Sequence, residues 1–111
     1  MGKGEYLGEF ELVVMLSLVR LKDNAYGMTI HDEIHDVTGR DVAIPTVYVT
    51  LARLEKKGYV SAELGSPTAE RGGRAKKFYR LEPLGSQALS QSLEMLGRLS
   101  QGIATGALKS K

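Results

Sequence analysis

Apolar residues along this chain recur at helical spacing, switch once to alternation, and return to helical spacing. Residues 7–21 come first. Leu12, Val13, Val14, Met15, Leu16, Leu18 and Val19 make this helix apolar nearly all round. A small domain buries only one stripe of a helix, so a second partner, another subunit, is expected on the far side. The polar turn 22–25 follows, with Asp23 or Asn24 able to cap what comes next. The second helix is expected over 26–38, with Tyr26, Ile30, Ile34 and Val37 as its core stripe and Gly39 ending it. Val42 and Ile44 alternate with Asp41 and Ala43, which predicts a very short strand, and the proline after Ile44 also favours extended backbone there.

The pattern then becomes two-faced. In the helix predicted over 45–58, Val47, Leu51 and Leu54 form an apolar stripe at i, i+4, i+7. Thr46, Val49, Thr50, Arg53 and Lys57 form a second face, polar, cationic and free of carboxylates. Tyr48 falls on neither face and is placed to orient the helix or to reach a phosphate. Pro45 suits the first turn and Gly58 the position just past the end. Beyond Gly58 the period falls to two. Val60, Ala62 and Leu64 alternate with Ser61 and Glu63, a Gly- and Pro-containing stretch follows, and residues 76–81 alternate again with Tyr79 and Leu81 inward. This predicts a β-hairpin with a long tip. Pro83 opens the last helix, where Leu89, Leu93, Leu96 and Ile103 make a short a/d seam. Packed against the first helix, that seam predicts a dimer.

The apolar fraction, 42 %, is that of an ordinary globular chain, which argues against wholesale disorder. The absence of cysteine excludes disulfides and cysteine-based zinc sites. The apolar run 12–19 is too short to span a bilayer, and Glu5, Glu9 and Glu11 precede it where a signal peptide carries positive charge. A soluble, cytoplasmic protein is expected, with no membrane partner. Charge changes the picture further. Residues 1–44 hold 4 Lys/Arg and 8 Asp/Glu, a balance of −4; residues 45–81 hold 8 and 3, or +5; residues 82–111 hold 3 and 2, or +1. A basic middle on a near-neutral chain is the footprint of a polyanion site. Its cations include Arg71, Arg74, Lys76, Lys77 and Arg80 in the hairpin tip and second strand, against Glu70 alone. Such a tip suits phosphate or the DNA minor groove.

Candidate chemistry is thin. His31 and His35 stand at i, i+4, the spacing of a zinc-chelating pair, but Asp32 follows the first histidine where the metalloprotease pattern needs Glu. An exposed pair beside carboxylates needs no metal to explain it. There is no G-x-S-x-G, Walker loop or dinucleotide fingerprint, and no cofactor is expected. Two helices joined by a short connection, the second carrying the reading face, make a helix-turn-helix.

The wording closely resembles the PadR-like family of transcriptional regulators. Residues 25–30, AYGMTI, look like that family's Tyr-Gly opening of the second helix. Residues 46–60, TVYVTLARLEKKGYV, are similar to its reader-helix signature, and residues 71–81, RGGRAKKFYRL, resemble its wing. The likeness runs from about Leu7 to Leu89. It implies a homodimer on an inverted-repeat operator, usually a repressor relieved by a ligand or another signal. Some members bind aromatic compounds using a Trp of the last helix; this chain has no Trp. Ala75 stands where the wing often carries another basic residue. Glu82 stands where Thr often precedes the proline, and as a poorer N-cap it implies that Glu82→Thr stabilises the chain by about 0.5–1 kcal/mol.

The expected architecture is mostly α with a small β-hairpin. A winged helix-turn-helix over 7–81 precedes a dimerisation helix over 82–105, with frayed residues at 1–6 and a disordered tail at 106–111. The expected function is sequence-specific DNA binding by a transcriptional regulator, not an enzyme. Double-stranded DNA and a second copy are its partners, with a small-molecule effector as a further candidate. Thr46, Val49, Thr50 and Arg53 would face bases. Lys57, Arg71, Arg74, Lys76 and Lys77 would grip phosphate or minor groove, with Tyr48 beside them. Leu12, Met15, Leu16, Val19, Leu89, Leu93, Leu96 and Ile103 would form the dimer interface. The alternative is a winged-helix module binding an acidic protein, but such a face calls for aromatic anchors where this one has Thr, Val and Arg.

Overall fold

A computed structural model describes residues 6–65 and 76–103. The expected N-terminal fraying, the tail 106–111, Arg71, Arg74 and Ala75 lie outside the described residues. The elements in chain order are α1 (Glu9–Leu21), a 3-10 turn (Lys22–Asn24), α2 (Gly27–Thr38), α3 (Ile44–Lys56), β1 (Val60–Leu64), β2 (Lys77–Leu81) and α4 (Pro83–Ser100).

The first three helices share one core. Val14, Met15 and Leu18 of α1, Ile30 and Ile34 of α2, and Val47, Leu51 and Leu54 of α3 are buried together. This stripe of α3 is the one its i, i+4, i+7 spacing predicts. Two expectations fail near the turn between α2 and α3. Val37 is 55 % exposed, so the buried stripe of α2 ends at Ile34. The short strand at 41–44 does not form. Residues 40–43 are irregular, and α3 starts at Ile44 with Pro45 in its first turn. A strand needs a neighbour to pair with, and alternation alone supplies none. Gly39 closes α2 in the left-handed conformation, φ 75°, its N–H donating to the His35 carbonyl at 2.8 Å.

β1 and β2 form an antiparallel pair with Val60 opposite Leu81 and Ala62 opposite Tyr79. The far edge of β2 is held by the segment before α2. The Tyr79 N–H donates to the Ala25 carbonyl at 2.8 Å, Tyr26 bridges to Phe78, and their rings meet edge to face at 5.2 Å. Leu64 lies on the outward end of β1 and is exposed.

α4 is anchored at its start. Gly85 lies so close to the Tyr59 carbonyl that a Cβ there would stand 2.1 Å from the oxygen. Ala88, Leu89 and Ser92 continue the buried side, and the Leu7 N–H donates to the Ser92 hydroxyl at 3.1 Å. Past Ser92 the helix leaves the domain, with Leu93, Leu96 and Leu99 exposed. The expected dimer surface is corrected at two positions, and a third leaves the helix. Met15 and Leu89 are buried within the chain's own core, out of reach of a second copy. Ile103 lies beyond the last turn, because Gln101 is extended and Gly102 has φ 83°. Leu12 and Leu16 are half-buried and Val19 is 43 % exposed, so α1 does keep an apolar face that its own chain leaves uncovered.

Candidate nucleic-acid interface

The buried stripe of α3 turns Thr46, Val49 and Arg53 outward at i, i+3, i+7, on one exposed strip. Val49 is 58 % exposed, although it is apolar. The Arg53 guanidinium makes no hydrogen bond or ion pair with another described residue. An exposed Thr-Val-Arg strip can offer a methyl contact to thymine and a two-pronged donor to guanine. Thr50, one hundred degrees round from Val49, is only 3 % exposed and adds little surface to the strip, though it borders the same groove as Val49 and Arg53.

Tyr48 lies half-exposed against the start of α2. A Cβ on Gly27 would stand 2.1 Å from its hydroxyl oxygen and 2.2 Å from Cζ, so only glycine leaves room for the ring. The Tyr-Gly pair at 26–27 thus has a physical reason. Tyr26 packs on the hairpin, and Gly27 receives Tyr48 from α3.

The cations differ in their freedom. Lys76 lies over the Tyr26 ring at 4.5 Å, and Lys77 lies over Tyr79 and 3.7 Å from Glu55, a loose pair on an exposed surface. The Lys77 ammonium thus lies beside α3, and the Lys76 ammonium beside the start of α2. Burial first, then Glu55 and Tyr48, raises the Tyr79 phenol above its ordinary range, so it stays neutral beside them. Lys57 is committed elsewhere. It donates to Glu11 at 2.9 Å and lies over the Tyr59 ring.

Residues the sequence reading passed over complete this surface. A groove of about 630 Å³ runs between the start of α1 and the exposed strip of α3. Phe10, Arg40, Val42 and Pro45 line it together with Thr46, Val49 and Arg53. Arg40 is tied to Glu9 at 2.7 Å and lies 5.5 Å from the Phe10 ring centre. Glu11 lines the same groove, its side chain only 11 % exposed. No sequence signal separates Glu11 from the acidic residues around it, because its partner is 46 positions away.

The histidine pair is accounted for within the turn. The His31 ring meets the Val42 carbonyl at 2.9 Å and Asp32 at 3.0 Å, while His35 lies 3.6 Å from Asp36 and 3.5 Å from Asp41. Among the described residues no cluster of His, Asp or Glu is placed to hold a metal ion.

The sequence pattern of the transcriptional regulator PadR-like family matches residues 15–91, which takes in α2, α3 and the hairpin. The chain belongs to the PadR-like family. This is a family of transcriptional regulators, not of enzymes. The fold agrees with solved structures. A transcriptional regulator from Clostridium thermocellum is 26 % identical, with 84 % of each chain covered and a TM-score of 0.68. A PadR family transcriptional regulator from Eggerthella lenta is 25 % identical over 93 % of this chain and 88 % of its own, with a TM-score of 0.67. A PadR-like regulator from Bacillus cereus is 17 % identical and shares the fold, with 92 % and 93 % covered and a TM-score of 0.72. No curated protein matches the chain. As a PadR-like protein it has the family's winged helix, with α2 and α3 as the helix-turn-helix and β1–β2 as the wing. No helix among the described residues is long and apolar enough to cross a membrane.

Proposed function

We propose that this PadR-like regulator binds an inverted-repeat operator as a homodimer and represses transcription. The observation that carries this reading is the exposed strip Thr46, Val49 and Arg53, whose guanidinium makes no hydrogen bond or ion pair with the other described residues. Arg53 then forks onto a guanine, Thr46 and Val49 touch neighbouring bases, and Tyr48 reaches a phosphate. Lys76 and Lys77, with Arg71 and Arg74 of the wing, hold the backbone or minor groove. Dimerisation draws support from the apolar surface the chain leaves open. Leu12, Leu16 and Val19 of α1 and Leu93 and Leu96 of α4 would be covered by a second copy. A two-fold dimer sets its half-sites about 10 bp apart, centre to centre.

Selection of bound sequences from a random DNA pool tests this reading. A two-fold symmetric motif is expected, and a small-molecule screen on that motif then reveals any effector that releases it. Arg53→Ala should weaken the operator by about 1–3 kcal/mol and relax preference at one position. Leu96→Asp should give a monomer in sedimentation and lose the two-site footprint. A single asymmetric half-site bound by a monomer would overturn the dimer.

A further inference from the structure

We propose that Glu11 is a specificity-determining residue, which withholds Lys57 from the DNA backbone and so lowers indiscriminate binding relative to operator binding. The inference rests on the DNA-binding reading given above and concerns the same face.

Among the described residues Glu11 is the one carboxylate lining the groove beside the reading strip. Both its oxygens are engaged. Oε1 accepts the Gly8 N–H at 2.9 Å, before the first turn of α1, and Oε2 accepts the Lys57 ammonium at 2.9 Å, just past the end of α3. Arg53 acts on it electrostatically as well. Lys57, in contrast, is half-exposed, its ammonium over Tyr59. To reach a phosphate, Lys57 must leave Glu11. That would strand a nearly buried carboxylate without its cation, and a charge left unpaired there is strongly unfavourable. The Coulombic return from one phosphate at the surface is small and is screened by salt. Lys57 therefore stays with Glu11 while DNA is bound, and the end of the reader helix presents a neutral pair. Burial of Glu11 opposes its ionisation, but Lys57, the Gly8 N–H and Arg53 together hold it ionised well into the acid range, so the pair persists at neutral pH.

Sequence-independent affinity comes almost wholly from phosphate contacts. A cation neutralised by a fixed internal carboxylate adds nothing to it, whereas base contacts by Arg53 are unaffected. Glu11→Gln keeps the side chain's shape and its acceptor for Gly8 but removes the charge. Lys57 is then free to pair with phosphate.

The test measures affinity for the selected operator and for a random-sequence duplex of the same length, each across a salt series. It compares the wild-type protein, Glu11→Gln, Lys57→Met and the double variant. Methionine keeps the Lys57 stem on Tyr59. For Glu11→Gln, the salt slope on the random duplex should steepen by about 0.9, so a fourfold salt dilution tightens binding about 3.5-fold more than for wild type. The ratio of operator to random affinity should fall accordingly. The double variant exchanges a neutral pair for two neutral side chains and should return to the wild-type slope, while Lys57→Met alone bares the Glu11 charge and should weaken both duplexes. A slope flatter than wild type for the double variant would overturn the proposal, since Lys57 would then be gripping phosphate in the wild-type protein with Glu11 in place. An unchanged slope for Glu11→Gln would overturn it equally. Should Glu11→Gln fail to fold, the double variant, which leaves no charge unpaired, decides alone against wild type. If wild-type protein binds neither duplex, the DNA-binding reading fails and this inference with it; if wild type selects an operator and the variants behave alike, only the inference fails.

Discussion

The Ser61 hydroxyl donates a hydrogen bond to the Glu82 carboxylate, joining the second residue of β1 to the residue that precedes α4. Glu82 therefore does not cap α4 with its side chain. Its backbone serves both elements instead, the N–H donating to Tyr59 and the carbonyl accepting from Ser86, each at 2.9 Å. The expected gain from Glu82→Thr has to be set against this bond. Threonine adds a cap worth about 0.5–1 kcal/mol. Losing a hydrogen bond to a charged acceptor costs at least as much, about 1.5 kcal/mol at the low end of the range for such bonds, since this one is only half-buried. Thermal melts should find Glu82→Thr neutral or slightly less stable in the wild-type background. With Ser61→Ala already present the same change should stabilise, since only the cap is left to act. Stabilisation by the same amount in both backgrounds would show that the Ser61 bond contributes nothing.

Gly27→Ala places a methyl where the Tyr48 ring now lies. The ring has to swing outward or α2 has to shift, an overpacking cost of about 1–3 kcal/mol. Tyr48→Ala should remove that cost, so the double variant should be more stable than Gly27→Ala alone. Urea titrations of the three variants measure the coupling. Additive effects would mean that the ring yields freely.

Lys22 stands at φ 56°, ψ −120°, a region comfortable only for glycine, and is the one non-glycine residue with positive φ among those described. The sharp turn out of α1 imposes it. Lys22→Gly should relieve about 1 kcal/mol of strain. In a domain of this size the melting temperature should rise by about 4–8 °C. Lys22→Ala keeps the strain and should show no such rise.

Acid should weaken the fold through Glu11. Burial opposes the charge, yet Lys57, the Gly8 N–H and Arg53 outweigh it, leaving the folded carboxyl below its ordinary value of 4.5. Around that value the unfolded chain binds more protons than the folded one. The stabilisation is thus complete above 4.5 and is lost as pH falls through the lowered folded value. Melts between pH 7 and pH 3 should fall less steeply for Glu11→Gln than for wild type, so the two curves converge in acid. Parallel curves would show that Glu11 titrates alike in both states.

The helices and the hairpin were legible because their signals are local. The stripe Val47, Leu51, Leu54 needs only the 3.6-residue period, and all three are buried. The left-handed end of α2 at Gly39 and the start of α4 at Pro83 follow from backbone freedom and its absence. Residue wording also carried the reader helix and the wing into a family.

Tertiary packing decided the rest, because helical spacing alone does not say how wide a buried face is. Thr50 reads as part of a polar face, yet it is buried; Val37 reads as core, yet it is exposed. Met15 and Leu89 are as apolar as Leu16 and Leu93, and only the three-dimensional arrangement separates a residue facing its own core from one facing outward. Partners distant in sequence were equally invisible. Glu11 finds Lys57, Ser61 finds Glu82, and Gly27 finds Tyr48 only once the chain is folded. Composition and period limit which faces a side chain can join. Which charge is free for a ligand depends on what the fold brings within 3 Å of it.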